Sequence, residues 1–524
     1  MKNLPRVTYS NTGEDFSGVH AYLDEVIPQA SDRLLGKARP ALIGGRDRDQ
    51  GPVVAAKSPI DREIVLGEFP QASAALVDEA VDAARDAYPN WRDIGWPKRV
   101  AILRASADVL EERKWDISVA CLVEVGKSRL EAVGEVEEAI DLIRHYCDEM
   151  ERRDGFRDDR PGASAVEKCS VVLRPYGVFG VIAPFNFPVA LAIGMMTAAL
   201  VAGNTVVFKP SDAAGLTGRL AVEALIAGGI PDGVLNLVQG GDEAGKALAT
   251  HPGIDGIAFT GSNAVGMTIL RHAAASTAMR PVLAEMGGKN PAFVTASADL
   301  DVAVSGVLRS AFGLSGQKCS ATSKAYVARG VLQPFLDALA AATDKVVVGD
   351  PRARDTFVGP VIDAAAVERF NAAARDAAAA GSIVRGGEQL AGGLFDRGTY
   401  VAPTIVTGLA PDHRLNRDEI FLPFVSVQPF DDLGEAIADA NRSPFGLTAG
   451  IFSQDSQELD RFLDTIEAGV VYANRAAGAT TGAWPGFQSF CGWKGSGTTG
   501  KGGLGSWYVP QFMREQSRTL IGAA

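Results

Sequence analysis

Along the first third of the chain, apolar positions recur three and four residues apart. Over 74–90, 98–125 and 130–153 that spacing predicts amphipathic helices, each with one apolar face to bury. The first forty or so residues carry weak periodicity and read as an extension docked on the body. After the third helix the pattern changes. RRDGFRDDRPGASAVEKC is charged and rich in turn formers, CSVVLRPYGVFGVIAP is β-rich, and together they predict an exposed hairpin or arm. From Val171 to Ala284, short apolar runs (GVFGVIA, TVVFK, VLNLVQ, GIAFTG, PVLAEM) alternate with helical stretches, and another alternation runs from Pro291 to Asn474. Strands alternating with helices imply βαβ units and parallel sheets covered on both faces, so the expected class is α/β with two sheet domains. The tail from Gly495 is glycine-rich and then strand-like, which suits either an edge strand added to a neighbour or a mobile end.

From Val181 to Phe208 no residue is charged, a length that could span a bilayer. Pro184 and Pro188 at its start and Gly203-Asn204 near its end break it into a turn, a buried helix over 189–201, a second turn and a strand. No membrane association is expected. A chain of 524 residues exceeds one core, and 47% hydrophobic against 22% charged residues can fill several. The net charge of -12 argues against nucleic acid, whose phosphates need a basic footprint. Five cysteines, without a CxxC, fit reduced thiols in a cytoplasmic setting rather than disulfides or a metal site. The amino-terminal residues lack the apolar core of a secretory signal.

Candidate chemistry concentrates in a few polar islands. FGLSGQKCSATSK sets Cys319 among small and polar residues, and AEMGGKN surrounds Glu285. A thiol can attack a carbonyl, and a carboxylate can then activate water, although a lone cysteine also reads as a small buried hydrophobe. In a parallel sheet, ligands collect at the carboxyl ends of the strands. After TVVF come Lys209, Pro210, Ser211 and Asp212, a cation and a carboxylate suited to ribose hydroxyls. After GIAF comes TGSNAVG, where Gly261 and Gly266 would let a diphosphate approach a helix start; an ordinary strand–helix turn explains it equally. Asp212 would repel a 2′-phosphate and so favour NAD over NADP. Asn186, in APFNFP, could offer its side-chain amide to an oxyanion or simply satisfy its own turn.

APFNFP, FKPSD, FTGS, EMGGKN, GQKCSA and EIFLPF occur in the order and approximate spacing of the aldehyde dehydrogenase superfamily, which the chain resembles from about residue 45 onward. The resemblance implies two Rossmann-like parallel-sheet domains plus a small β oligomerisation arm. The NAD-binding domain would take 45–153 and 175–287, the catalytic domain 288–494, and the arm and tail 154–174 and 495–524, after an extension over 1–44. It implies Cys319 as nucleophile, Glu285 as the base for deacylation, and Asn186 with the Cys319 backbone N–H as oxyanion hole. NAD would be held by Ala183, Pro184 and Phe185, by the 209–212 turn, by Gly241, by Thr260, Gly261, Ser262 and Gly266, by Met286 and Gly287, and by Glu419 with Phe421. Glu285 favours hydrolysis over transfer to coenzyme A, and a homodimer or an assembly of dimers is expected.

Ser320 directly after the cysteine, the stretch EVGKSRLEAVGEVEEAIDLIRHYC and the tail GWKGSGTTGK look like the Δ1-pyrroline-5-carboxylate (glutamate γ-semialdehyde) dehydrogenases. That resemblance implies a substrate α-carboxylate on Ser320, Gly478 and Ala479, with Phe187 along its aliphatic part and Glu138 nearby; a solvated helix face is the other reading of Glu138. Two departures stand out. WPGFQSFCGW, 484–493, is longer and more aromatic than the group's usual link and could supply Phe487 or Phe490. Leu422 replaces a usual glycine beside Phe421. The aromatic insert motivates an alternative, a dehydrogenase for a bulkier or aromatic aldehyde; a non-catalytic protein on the same fold is more remote.

Overall fold

The computed structural model describes residues 4–277, 279–476 and 480–522. The first α/β alternation forms a seven-stranded sheet in the order Val282–Met286, Gly256–Gly261, Val178–Ile182, Thr205–Lys209, Leu235–Leu237, Ala41–Ile43, Arg46–Arg48. Its first five strands are parallel, and Ala41–Ile43 runs antiparallel to both of its neighbours, Leu235–Leu237 and Arg46–Arg48. Strand Thr205–Lys209, with its β-branched run, is buried throughout, as expected of a central strand covered on both faces. Helix Ala190–Ala202 packs on one face and is buried almost all round, so the uncharged segment is a core helix between two turns. No helix among the described residues is long and apolar enough to cross a membrane.

The second alternation gives another seven-stranded sheet, Ser382–Arg385, Thr404–Thr407, Phe424–Phe430, Thr322–Ala328, Asn290–Val294, Thr448–Phe452, Val470–Ala473. Only Ser382–Arg385 runs antiparallel to its neighbour. The chain passes from the carboxyl end of Val282–Met286 into Asn290–Val294 through Gly287–Lys289 alone. That short bridge sets the carboxyl edge of the first sheet against the amino edge of the second, and the polar islands gather along the seam.

Three expectations need correction. The stretch 98–125 is two helices, Trp96–Glu112 and Lys114–Val125, that break at Arg113, where no glycine or proline marks the change of direction. The extension over 1–44 contains strand Ala41–Ile43, which hydrogen-bonds to Leu235–Leu237 inside the first sheet, while helix Ser17–Leu34 docks through Val19, Leu23, Ile27, Ala30 and Leu34. The tail strand Met513–Ile521 pairs residue for residue with Glu167–Pro175 of its own chain. Arg157–Pro161 lies on the far side of Glu167–Pro175, completing a three-stranded antiparallel arm.

Candidate active site

A cleft of about 1200 Å³ runs along the seam between the two sheets. Cys319 lines it and is partly exposed to it, so the thiol is not sealed in a core. The turn carrying it precedes strand Thr322–Ala328 and is clamped from the neighbouring strand. Asn290 donates its amide to the carbonyls of Cys319 (2.6 Å) and Ala321 (3.0 Å) and accepts the Thr448 N–H at 3.0 Å. Upstream, Leu314 and Ser315 hold positive φ of 48° and 54°, a conformation uncommon for such side chains that Ser315 secures by donating its hydroxyl to the Gly359 carbonyl at 2.8 Å. Burial, with help from the Glu419 and Glu285 carboxylates, pushes the Cys319 thiol up to about 12, against the pull of the Ser320 and Cys319 backbone N–H groups.

Asn186 is buried beside this turn and donates its amide to the Gln317 carbonyl at 2.9 Å. A primary amide has two N–H bonds, so a second donor remains for a ligand oxygen. Glu285 also lines the cleft. Burial raises its carboxyl to about 8, opposed by the Gly492 N–H, and its Oε2 is buried without a hydrogen-bond partner. The strand that carries Glu285 would be a sheet edge, but residues 496–498 close it. Met286 N–H donates to Ser496 O (2.8 Å), Thr498 N–H to Ala284 O (3.1 Å), and the Thr498 hydroxyl to Val282 O (2.8 Å).

The long arm of the cleft carries most of the residues expected to hold a dinucleotide. Ala183, Pro184 and Phe185 line it, as do Lys209, Ser211, Asp212, Gly241, Thr260, Gly261 and Ser262, with Met286, Gly287, Glu419 and Phe421 at the junction. The Lys209 ammonium donates to the carbonyls of Pro210 (2.8 Å) and Gly240 (2.7 Å), which leaves one of its three donors. Asp212 is exposed to solvent. Ser262 Oγ accepts the Val265 N–H at 3.4 Å and caps helix Asn263–Ala274. A β-carbon on Gly287 would lie 1.8 Å from Glu419 Oε2, so only glycine lets that carboxylate rest on the backbone, where the Gly288 N–H donates at 3.1 Å. A ribose-bearing ligand therefore finds one free ammonium donor and two carboxylates along this arm. Pro210 and Gly266 do not line the cleft. Pro210 packs on Gly218, and a β-carbon at Gly266 would meet Met286 Sδ at 2.5 Å, so both serve packing.

The short arm, past Cys319, is lined by Ser320, Phe187, Glu138, Tyr9, Phe490 and Tyr146, among others. Glu138 is buried, not solvated: it accepts the Tyr9 hydroxyl at 2.7 Å, and burial lifts its carboxyl to about 7. Phe187 has the Lys127 ammonium 3.6 Å from its ring centre. Lys127 is itself in a fully buried ion pair with Glu135, whose other oxygen accepts the N–H groups of Val189 (2.8 Å) and Ala190 (3.1 Å) and so fixes the end of the Asn186 loop. Of the insert's rings, Phe490 lines the cleft whereas Phe487 is 84% exposed. Leu422 is buried in the core beneath the second sheet and does not reach the cleft. Gly478 and Ala479 lie outside the described residues.

Sequence reading passed over Tyr9, Asn290, Lys127 and Glu135. Asn290 stood inside EMGGKN, and Lys127 and Glu135 inside EVGKSRLEAVGEVEEAIDLI. Tyr9 had no local signal at all.

Residues 46–517 match the model of the aldehyde dehydrogenase family. A 1-pyrroline-5-carboxylate dehydrogenase of Bacillus cytotoxicus is 36% identical over 479 residues, 90% of this chain and 91% of its own. A 1-pyrroline-5-carboxylate dehydrogenase of Thermus thermophilus superposes with a TM-score of 0.92 at 32% identity, over 99% of this chain and 100% of that one. A Thermus 1-pyrroline-5-carboxylate dehydrogenase solved with bound NAD matches with the same TM-score, identity and coverage. With a thiol, an amide and a raised carboxyl on one cleft and a family match across nearly its whole length, the chain belongs to the aldehyde dehydrogenase family.

Proposed function

We propose that this chain oxidises L-glutamate γ-semialdehyde, the open form of Δ1-pyrroline-5-carboxylate, to L-glutamate with NAD as oxidant. The observation that carries the chemistry is the convergence of Cys319, Asn186 and Glu285 on one cleft; the substrate follows from relatives named for it, with Ser320 and Glu138 as polar groups on the otherwise aromatic arm past Cys319. Lys209, Asp212 and Glu419 would hold NAD, which supplies the hydride acceptor. The Cys319 thiol gives its proton to solvent through the cleft it lines, and the sulfur adds to the aldehyde carbon. The new oxyanion takes the second amide hydrogen of Asn186 and the Cys319 backbone N–H. The thiohemiacetal carbon then gives up hydride and becomes a thioester on the sulfur. Glu285 takes a proton from water, the hydroxide attacks the thioester, and the carboxylic acid leaves as the thiol is restored.

The second reading, a bulkier or aromatic aldehyde, rested on the aromatic insert. With Phe487 exposed, the insert brings Phe490 alone to the cleft wall, which favours the smaller substrate. Steady-state kcat/KM for the semialdehyde should exceed that for benzaldehyde by at least about a hundredfold; a higher value for benzaldehyde overturns the assignment. Self-association through the arm is supported by Arg157–Pro161, an exposed strand with one unpaired edge, and light scattering at a monomeric mass would reject it.

A further inference from the structure

The segment before helix Ser17–Leu34 does not trail over the surface. Val7 is wholly buried, and Arg6 pairs with both Glu137 and Asp141 at 3.0 Å on helix Arg129–Arg152. Arg475, from the other side of the cleft, donates to the Tyr9 carbonyl at 3.2 Å. Held from both sides, Tyr9 lines the cleft. Its ring meets Phe187 edge-on at 6.1 Å and Trp484 at 5.4 Å. The Trp484 indole N–H donates to Asp141 at 2.8 Å, so the aromatic insert packs behind Tyr9 rather than filling the pocket.

We propose that this segment forms the far wall of the substrate pocket and that Tyr9 determines specificity there. Its ring would limit the length of aldehyde admitted, and its hydroxyl would hold the Glu138 carboxylate ready for a cationic amino group. The second part rests on the proposed amino-acid semialdehyde substrate. Two observations carry it beyond packing. The Tyr9 hydroxyl is given to a carboxylate that lines the cleft, not to a backbone carbonyl. Lys127, the cation acting on that carboxylate, is already paired with Glu135. A buried carboxylate with a neutral phenol as its hydrogen-bond donor is under-compensated, and an ammonium group on the substrate would complete it. Tyr9 is thus a positioning residue for Glu138 and a wall for the substrate.

The test compares Tyr9→Phe and Tyr9→Ala in the full chain with three aldehydes. These are glutamate γ-semialdehyde, 5-oxopentanoate (the same skeleton without the amine) and phenylacetaldehyde. Tyr9→Phe, which keeps the ring, should raise KM for the amino aldehyde about tenfold, with kcat and the KM for 5-oxopentanoate each within about twofold. Equal changes for the two substrates, or none, would overturn the positioning role. Tyr9→Ala should raise kcat/KM for phenylacetaldehyde relative to 5-oxopentanoate at least about tenfold, and an unchanged ratio would overturn the wall. If the unmodified protein shows no preference for the amino aldehyde over 5-oxopentanoate, the proposed substrate fails and the positioning role with it; the Tyr9→Ala ratio still decides the wall.

Discussion

Glu285→Gln separates the two half-reactions and reports on the buried carboxyl. Glutamine keeps the size of the side chain and still accepts the Gly492 N–H, but it cannot take a proton from water. With the carboxyl at about 8, roughly a tenth of it is ionised at pH 7 and roughly nine tenths at pH 9. Where deacylation limits, turnover of the unmodified protein should therefore rise about tenfold over that interval. In rapid-mixing experiments the variant should release one NADH per site in a burst, followed by a steady state slowed by about 10²–10⁴-fold that no longer climbs with pH. Stability gives a second readout. The folded carboxyl titrates above its unfolded value of 4.5, so its contribution is present at low pH and is lost as pH rises through about 8. That loss is on the order of 5 kcal/mol, and the variant escapes it. The melting temperature of the variant should gain on that of the unmodified protein between pH 5 and pH 8.5. A burst that falls as far as the steady state refutes the assignment of Glu285 to deacylation, and a melting difference that ignores pH refutes the raised carboxyl.

Other substitutions test the scaffold around Cys319. Asn186→Ala should lower kcat by about 10²–10³-fold while NAD affinity, followed by fluorescence, stays within about twofold; a kcat loss under tenfold would remove Asn186 from the oxyanion role. Asn290→Ala strips hydrogen bonds from two carbonyls and one N–H, so urea unfolding should show a loss of about 3 kcal/mol, accompanied by a lower burst rate as the Cys319 turn loosens. Lys127→Met leaves the buried Glu135 without its cation and should destabilise by about 3–5 kcal/mol. Adding Glu135→Gln should restore part of that loss, and a double variant no more stable than Lys127→Met would argue against the pair.

What could be read from the chain was whatever is written locally. Cys319, Glu285 and Asn186 each sit in a short polar island between apolar runs, and the alternation of strands and helices set those islands at strand ends. Lys209 and Asp212 were legible for the same reason. Contacts made across long sequence distances left no such trace. Strand Ala41–Ile43 is defined by pairing with Leu235–Leu237, and nothing near residue 41 announces it. Glu138 lies on a helix face that is polar in sequence yet buried, because Tyr9 and the insert cover it. Gly266 sits where a phosphate-binding glycine would, but the sulfur of Met286 occupies the space a side chain would need. The kink at Arg113 keeps the apolar stripe running through it, so periodicity passed over the break.

The strap at residues 496–498 ties the timing of competence to synthesis. Strand Val282–Met286 leaves the ribosome long before the residues that cover its outer side, and until Ser496 and Thr498 arrive the backbone groups facing away from Gly256–Gly261 have only water for partners. A product ending before Ser496 would hold Cys319 and Asn186 yet lack a settled general base. It should acylate slowly, stall at the thioester and unfold more readily than the full-length chain.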